Sequence, residues 1–258
     1  MNKIEKLIEK LCPDGVEIKS LYETTLWDKK FNGVKKDWQP KTIKFKHTSA
    51  ANLKSLNKIN GDVKLLSTGN YSGWTTELIA EELLNEGEVI TIPTGGTANL
   101  KYYNGKFVDS GNIIGIAKDR NISLKYIYYL LLTKNDEINS FFRGSGVKHP
   151  NMLEILNIKI PIPPLAIQEK IVEILDKFTQ LETELETELE TELEARKAQY
   201  QFYRNQLLAF ENKEVEWKSL GEVGTFTRGK RFVRTDMIEK GFPCLHYGEM
   251  YTHYNVFA

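Results

Sequence analysis

The spacing of apolar residues predicts a globular first part made of strands and short helices, followed by one long helix. Near the start, apolar residues at helical spacing predict an amphipathic helix over residues 2–11. Short β-type segments separated by Gly, Asn, Ser and Thr then favour a β-rich domain over residues 1–160. These segments are Thr42–Phe45, Val63–Leu66, Glu88–Ile92 and Ile113–Ala117. Ser123 is expected to cap a helix that ends near Leu132.

After an extended, proline-terminated stretch at Ile158–Pro164, the pattern changes to that of one continuous helix. Neither Gly nor Pro occurs from Leu165 to Leu220, and apolar residues recur in steps of three and four. We therefore predict a helix from about Leu165 to Phe210, within a spacer segment of residues 165–212. Such a helix is too long for a globular domain to cover, so its apolar seam predicts a partner helix.

Two internal repeats add to this picture. Residues 179–194 are four tandem units, TQLE followed by three TELE, which place leucines at every fourth residue. Adding one unit lengthens a helix by ~6 Å without breaking it, so the run is suited to set a length; a solvated acidic linker helix is the alternative. The second repeat matches Gly15–Glu23 with Glu214–Glu222 at six of nine positions. A weaker echo pairs residues 66–71 with residues 245–251, so residues 213–258 are expected to begin a second, truncated copy of the first domain.

Charge is unevenly distributed along the chain. Lys and Arg total 35 and Asp and Glu total 35, so the formal net charge is zero. Residues 1–150 nevertheless carry 22 basic and 17 acidic residues, or +5, whereas residues 151–212 carry 6 and 12, or −6. The neutral total argues against a uniformly basic nucleic-acid binder, but it is compatible with a basic domain joined to an acidic helix.

The sequence lacks the motifs and residue spacings that mark common cofactor and metal sites. Cys12 and Cys244 lack CxxC spacing, and the four histidines lack metal-ligand spacing. No Gly-rich cofactor loop or Walker motif occurs. The apolar runs are too short to cross a bilayer and the start has no signal-peptide core, so a cytoplasmic protein without membrane association is expected.

Three stretches resemble the specificity subunit of type I restriction–modification systems: Ile158–Asp176, Ala195–Phe210 and Val215–Glu222. The resemblance implies an α+β fold, in which a β-rich target-recognition domain precedes a long helix that pairs in an antiparallel coiled coil. It also implies a non-catalytic subunit that binds one half of a split double-stranded DNA site and docks methyltransferase subunits, with restriction subunits joining complete complexes. S-adenosylmethionine is then expected in the methyltransferase, with no cofactor here, and the tetrapeptide repeats are expected to set the gap between half-sites.

The sequence departs from the family pattern, because the second domain is cut short and the second long helix is missing. One chain then offers one recognition domain, so we predict a homodimer with antiparallel long helices that binds a symmetric split site. The residues expected on the dimer and spacer face of the helix are Phe178, Leu181, Leu185, Leu189, Leu193, Tyr200, Tyr203 and Leu207.

Three groups of residues are candidates for DNA contact. Ten lysines lie within residues 29–64, and such a basic surface attracts phosphates, although a solubilising lysine face is the alternative. In glycine-bearing polar loops, the backbone can approach a phosphate or a base edge, and an arginine can bind guanine, although ordinary turns have the same composition. Aromatic residues stack on bases but are also common in cores. The candidates are Lys29, Lys30, Lys35, Lys36, Trp38, Lys41, Lys44, Lys46, Tyr71, Trp74, Thr94, Gly95, Gly96, Thr97, Arg143 and Lys148.

Two other functions remain compatible with the sequence. A coiled-coil assembly scaffold would use the globular domain to bind a protein, and an inactive remnant would fold without assembling. A DNA-binding subunit differs from both in its salt-dependent affinity for DNA and its preference for a specific site.

Overall fold

A six-stranded mixed sheet organises the first of the two compact units into which the chain divides, residues 1–189 and 190–258. The computed structural model describes residues 3–210 and 214–238. Its strands are β1 (Glu17–Ser20), β2 (Thr25–Trp27), β3 (Val63–Leu66), β4 (Ser72–Thr75), β5 (Asn85–Ile92), β6 (Lys101–Asp109), β7 (Ile113–Ala117), β8 (Phe142–Arg143), β9 (His149–Pro150) and β10 (Lys159–Ile162). The six-stranded sheet has the order β2-β7-β5-β6-β3-β4, in which only β3 and β6 are parallel neighbours.

Short helices alternate with the strands along the chain, and one long helix follows the last strand. The helices are α1 (Lys3–Leu11), α2 (Leu21–Thr24), α3 (Ala50–Ser55), α4 (Glu77–Ala80), α5 (Leu124–Thr133), α6 (Asn135–Ser140), α7 (Met152–Asn157), α8 (Leu165–Leu208) and α9 (Leu220–Val223). Single 3-10 turns lie at Lys36–Trp38, Glu81–Leu83 and Arg234–Asp236. Within residues 3–210 and 214–238, no helix combines the length and apolarity needed to cross a membrane.

The core is split between the two faces of the sheet, because side chains alternate along each strand. Ile90 and Ile92 of β5 belong to the largest buried cluster, which also contains Leu124 and Ile127 of α5. Val89, which directly precedes Ile90, belongs to a different cluster, with Phe107 of β6. The central strands are therefore apolar on both faces, as expected when other elements cover both sides of a sheet.

Two facing glycines interrupt the central hairpin. Gly87 of β5 is the register partner of Gly105 of β6, and their φ angles are +149° and +140°. Side-chain-bearing residues rarely adopt such angles, so glycine is required on both strands. β3 pairs with the last residues of β6, where Leu66 is the register partner of Asp109. The next residue after β3, Ser67, nevertheless contacts the first residue of β6, since Lys101 Nζ lies 2.6 Å from the Ser67 carbonyl oxygen. The strand must therefore curl strongly between Lys101 and Asp109.

The second, two-stranded sheet ties the beginning of the domain to its end. β1 pairs antiparallel with β10, and the Leu21 N–H donates to the Ile158 carbonyl oxygen at 3.0 Å. α2 starts with a capping box, in which the backbone N–H of Ser20 donates to Oε2 of Glu23 at 2.6 Å. Residues near the N-terminus thereby hold the strand that leads directly into α8.

The first turns of α8 are anchored in the domain. Ile167 and Gln168 are fully buried. The Gln168 side chain accepts the Ser123 N–H at 2.9 Å and donates to the carbonyl oxygens of Pro163 at 2.7 Å and Asn121 at 3.1 Å. Two of these partners, Ser123 and Asn121, belong to the domain, so the buried amide fixes the start of the helix to it.

The predicted combination of an α+β domain and a long helix is confirmed. Val63–Leu66 and Ile113–Ala117 coincide with β3 and β7, and Ser123 caps α5 through its side chain. The seam residues predicted along α8 are exposed, with Phe178 at 65% and Leu207 at 71%. Their pairing with a second helix stays a prediction.

The strand predicted at Thr42–Phe45 is wrong. This segment has no strand: its backbone donates one hydrogen bond to the sheet, from the Ile43 N–H to the Trp27 carbonyl oxygen at 3.2 Å, and Phe45 packs against Phe107 of β6. Trp27 is the last residue of β2, which pairs with β7 on one edge. With only three residues, β2 is too short to pair with a further strand on its other edge. The strand at Lys101–Asp109 was not predicted, because its central Asn104-Gly105 pair has the composition of a hairpin turn.

The second unit repeats one local feature of the first. Ser219 and Glu222 form the same capping box as Ser20 and Glu23, again with an N–H to Oε2 distance of 2.6 Å. The corresponding leucines differ, since Leu21 is fully buried and Leu220 is 73% exposed. Cys244, the weaker echo at residues 245–251 and the rest of the predicted second domain after residue 238 lie outside the described residues.

We predict that Gly87→Ala and Gly105→Ala each lower the free energy of unfolding by about 1–3 kcal/mol, because alanine is strained at these φ angles. Gly69→Ala is the matched control, since its φ is not positive and a Cβ there would meet no atom within 4 Å. Urea unfolding of the three variants measures the difference. Equal stability of all three would contradict the requirement for glycine at the bend.

Candidate nucleic-acid interface

The two glycine-bearing loops predicted from the sequence lie directly against each other. The Gly96 N–H donates to the Lys148 carbonyl oxygen at 2.8 Å, and the His149 Nδ1 is 2.6 Å from the Thr94 carbonyl oxygen. A Cβ on Gly95 would approach Val147 to 2.8 Å, so glycine permits this close contact. We call residues 94–97 and 143–149 the paired loops.

The paired loops present polar and basic side chains to solvent. Arg143 and Lys148 are exposed at the two sides of the short β8–β9 hairpin, in which Arg143 is the register partner of His149. Asn139 of α6 braces the neighbouring backbone by accepting the Ala98 N–H at 3.1 Å. The arrangement can offer an arginine fork and backbone groups to base edges while a lysine reaches a phosphate.

A third loop, residues 67–71, extends this surface. Asn99 donates to the Asn70 side-chain oxygen at 3.2 Å, which links the third loop to the chain segment that follows Thr97. Lys101 donates to the carbonyl oxygens of Ser67 at 2.6 Å and Gly69 at 2.5 Å. Burial lowers the pKa of Lys101, as does the nearby Lys64 charge, whereas the Asp109 carboxylate opposes the shift. Sequence analysis missed Lys101 because only the curled strand brings it to this loop.

Lysines pack over both aromatic residues predicted in this region. Lys64 Nζ lies 4.4 Å from the centre of the Trp74 ring and donates to the Ser72 hydroxyl at 2.7 Å. Lys54 Nζ lies 5.6 Å from the Tyr71 ring. Trp74 is 40% exposed on the outer strand β4, and burial lowers the pKa of Lys64. These cation–π pairs place two positive charges and two aromatic rings at one edge of the sheet.

The predicted lysine cluster divides into residues with structural contacts and exposed residues. Lys29 is half-buried, donates to the Asn112 carbonyl oxygen at 3.2 Å and lies 3.6 Å from an Asp28 carboxylate oxygen. Trp38 stacks on Tyr22 with a ring-centre distance of 4.2 Å and packs against the largest core cluster. Lys35 Nζ lies 5.7 Å from the same Trp38 ring. The other predicted lysines are exposed: Lys30, Lys36, Lys41, Lys44 and Lys46.

A buried carboxylate network lies beside Lys29. Asp109 accepts hydrogen bonds from the Gly111 N–H at 2.6 Å and from the Asn112 side chain at 2.6 Å. Asp28 accepts the Ile114 N–H at 3.0 Å. Burial raises the pKa of both carboxyls, although these hydrogen bonds oppose the shift. The network joins the ends of strands and accounts for the orientation of Lys29.

The structure thus brings together Thr94, Gly95, Gly96, Thr97, Arg143 and Lys148, and it connects them through the third loop toward Tyr71 and Trp74. Lys46 instead contacts Asn85, whose side chain accepts the Lys46 N–H at 2.8 Å. Among residues 3–210, no hydrogen bond or ion pair joins the lysine segment Lys30–Lys46 to the paired loops. Its place in one DNA surface with those loops stays a prediction.

Comparison with known proteins identifies the family. The model of the type I restriction modification DNA specificity domain matches residues 35–195, which is more than half of the chain. The chain is 33% identical over 222 residues to the specificity subunit of the Escherichia coli type I restriction enzyme EcoR124I/EcoR124II. It is 48% identical over 91 residues to the specificity subunit of the Escherichia coli enzyme EcoprrI. The chain therefore belongs to the type I restriction modification DNA specificity domain family.

The coverage of these relatives is partial. The first match covers 80% of this chain and 53% of the relative, and the second covers 33% and 23%. The chain thus spans about half the length of the first relative. Among solved structures, a type I restriction–modification S subunit from M. genitalium aligns with a TM-score of 0.49 and 17% identity, over 88% of this chain and 58% of that one.

Proposed function

We propose that this chain is the non-catalytic subunit that recognises one half of a split DNA site in a type I restriction–modification complex. The observation that supports it most directly is the convergence of Arg143, Lys148 and the Gly95-Gly96 backbone on one exposed surface, in a chain of the specificity family. Methyltransferase subunits are the expected partners, and they would supply S-adenosylmethionine and the methylation step. Restriction subunits would supply cleavage.

We further propose that two copies pair through antiparallel α8 helices. The 44-residue helix is about 66 Å long at 1.5 Å per residue. Its repeat leucines Leu181, Leu185 and Leu189 are each more than half exposed. Water contact with such a stripe is unfavourable, and a second helix with the same stripe would cover it. A two-fold pair presents two identical domains to a symmetric site.

The DNA-binding proposal predicts a specific and salt-dependent affinity. A site is first selected from a random duplex library, and its affinity is then measured by fluorescence anisotropy between about 50 and 200 mM salt. Arg143→Ala is expected to cost about 1–3 kcal/mol and to relax base preference, because it removes a guanine-reading fork. Lys148→Ala is expected to weaken all duplexes alike and to reduce the salt slope by about 1.

Lys10→Ala is the matched control, because it removes one positive charge from α1 rather than from the paired loops. It should leave base preference unchanged. A chain that selects no site and binds DNA without salt dependence would contradict the proposal and favour the protein-binding scaffold.

The spacer proposal predicts that helix length sets the gap between half-sites. One additional TELE unit after Glu194 adds ~6 Å of helix, and the preferred gap should widen by about one to two base pairs. Thr183→Ala is the control, since it changes the composition of a repeat without changing its length. Duplexes with gaps stepped by one base pair measure the optimum. An unchanged optimum after the insertion would contradict the length-setting role.

A further inference from the structure

The long helix has a second contact with the domain, immediately before its repeats. Asp176 of α8 accepts a hydrogen bond from Lys125 Nζ at 2.7 Å on one carboxylate oxygen. Its other carboxylate oxygen accepts the Tyr129 hydroxyl at 2.6 Å. Both donors belong to α5, so one side chain on the spacer is held by two side chains of the recognition domain.

The donors on α5 are themselves connected to the sheet. Lys125 Nζ lies 5.4 Å from the Tyr102 ring, and the Tyr102 hydroxyl donates to a Glu88 carboxylate oxygen at 2.8 Å. Tyr102 follows Lys101, the residue that holds the third loop of the candidate interface. The contact at Asp176 is therefore connected to the start of β6, the same strand end that holds the third loop of the candidate interface.

Asp176 is favoured in the ionised form that this contact needs. Partial burial raises its pKa, but the hydrogen bonds from Lys125 and Tyr129 and the Lys125 charge outweigh burial, so the net shift is downward. The carboxylate is consequently charged at neutral pH and can accept both hydrogen bonds.

Gln168 and Asp176 attach α8 to the domain at two places. They are eight residues apart, or about 12 Å along the helix. One attachment leaves a helix free to pivot, whereas two separated attachments fix its direction. Ile171, Val172, Ile174 and Leu175 between these two residues are half-buried, whereas the side chains from residue 177 to residue 208 are exposed. Tyr129 also hydrogen-bonds Thr179, one turn beyond Asp176, so the attached part of the helix ends in this turn.

We propose that Asp176 is a positioning residue that fixes the direction of the spacer helix and thereby narrows the range of half-site gaps that can be bound. The inference rests on the proposed spacer function. The segment from 177 to 208 is about 48 Å long, so a pivot of about 10° moves its end by about 8 Å, or more than two base-pair steps of 3.4 Å. Repeat number would then set the preferred gap, and Asp176 would set how strictly that gap is enforced.

The test compares Asp176→Asn with Glu173→Gln in the full-length chain. Asparagine keeps the size of the side chain but loses its charge, and an NH2 donor replaces one carboxylate oxygen, so Lys125 and Tyr129 no longer each have an acceptor oxygen of their own. Glu173 is the matched control, because its ion pairs with Lys170 and Lys177 lie within α8. Affinity is measured for duplexes whose half-site gaps differ by one base pair, and for a duplex that carries a single half-site.

The wild type and Glu173→Gln are expected to prefer one gap over its neighbours. Asp176→Asn should reduce that preference at least five-fold while leaving single half-site affinity unchanged, and Tyr129→Phe should broaden the profile in the same direction. An unchanged gap profile in Asp176→Asn, or an equal loss at every gap and at the single half-site in both variants, would overturn the inference. A wild type without any gap preference would overturn the spacer proposal itself, and the inference with it.

Discussion

The buried amide of Gln168 is the constraint on which the relation between the sheet domain and the long helix depends. It is fully buried and exchanges hydrogen bonds with the backbone at Ser123, Asn121 and Pro163. An unpaired buried amide is costly, and the start of α8 cannot leave the domain without losing the bonds to Ser123 and Asn121. A helix can set the distance between two domains only if its first turn is fixed to its own domain, and Gln168 fixes the first turn of α8.

The curl of the central hairpin has an equivalent role for the candidate DNA surface. Gly87 and Gly105 face each other at positive φ, and the curled β6 brings Lys101 to the loop after β3. Without this curl, the third loop would lose the lysine that holds two of its carbonyl groups. The paired loops are built differently, since backbone hydrogen bonds join them directly. A surface assembled from distant segments in this way is compatible with exchange of loop residues while the sheet stays unchanged.

Sequence patterns correctly predicted the elements that have a strong local signal. The predictions failed where contacts between distant residues decide the structure. β3, β7 and α5 have strong apolar or capping signals, and α8 lacks breakers over its whole length. β6 was missed because Asn104-Gly105 has turn chemistry but lies within a bent strand. Likewise, local composition did not indicate that Trp38 stacks on Tyr22, and contact of Trp38 with DNA stays a prediction. The paired loops were each proposed separately, but 45 residues lie between them in the sequence, so only the structure could show that they meet.

The central claim is that two identical domains, held apart by paired helices, recognise one split DNA site. Mapping the methylated adenines in DNA from cells that express this chain with its methyltransferase tests the claim most directly. The account predicts one motif with two symmetric halves separated by a fixed gap. A motif with two different halves would contradict the two-fold pair and would require a second, different recognition domain.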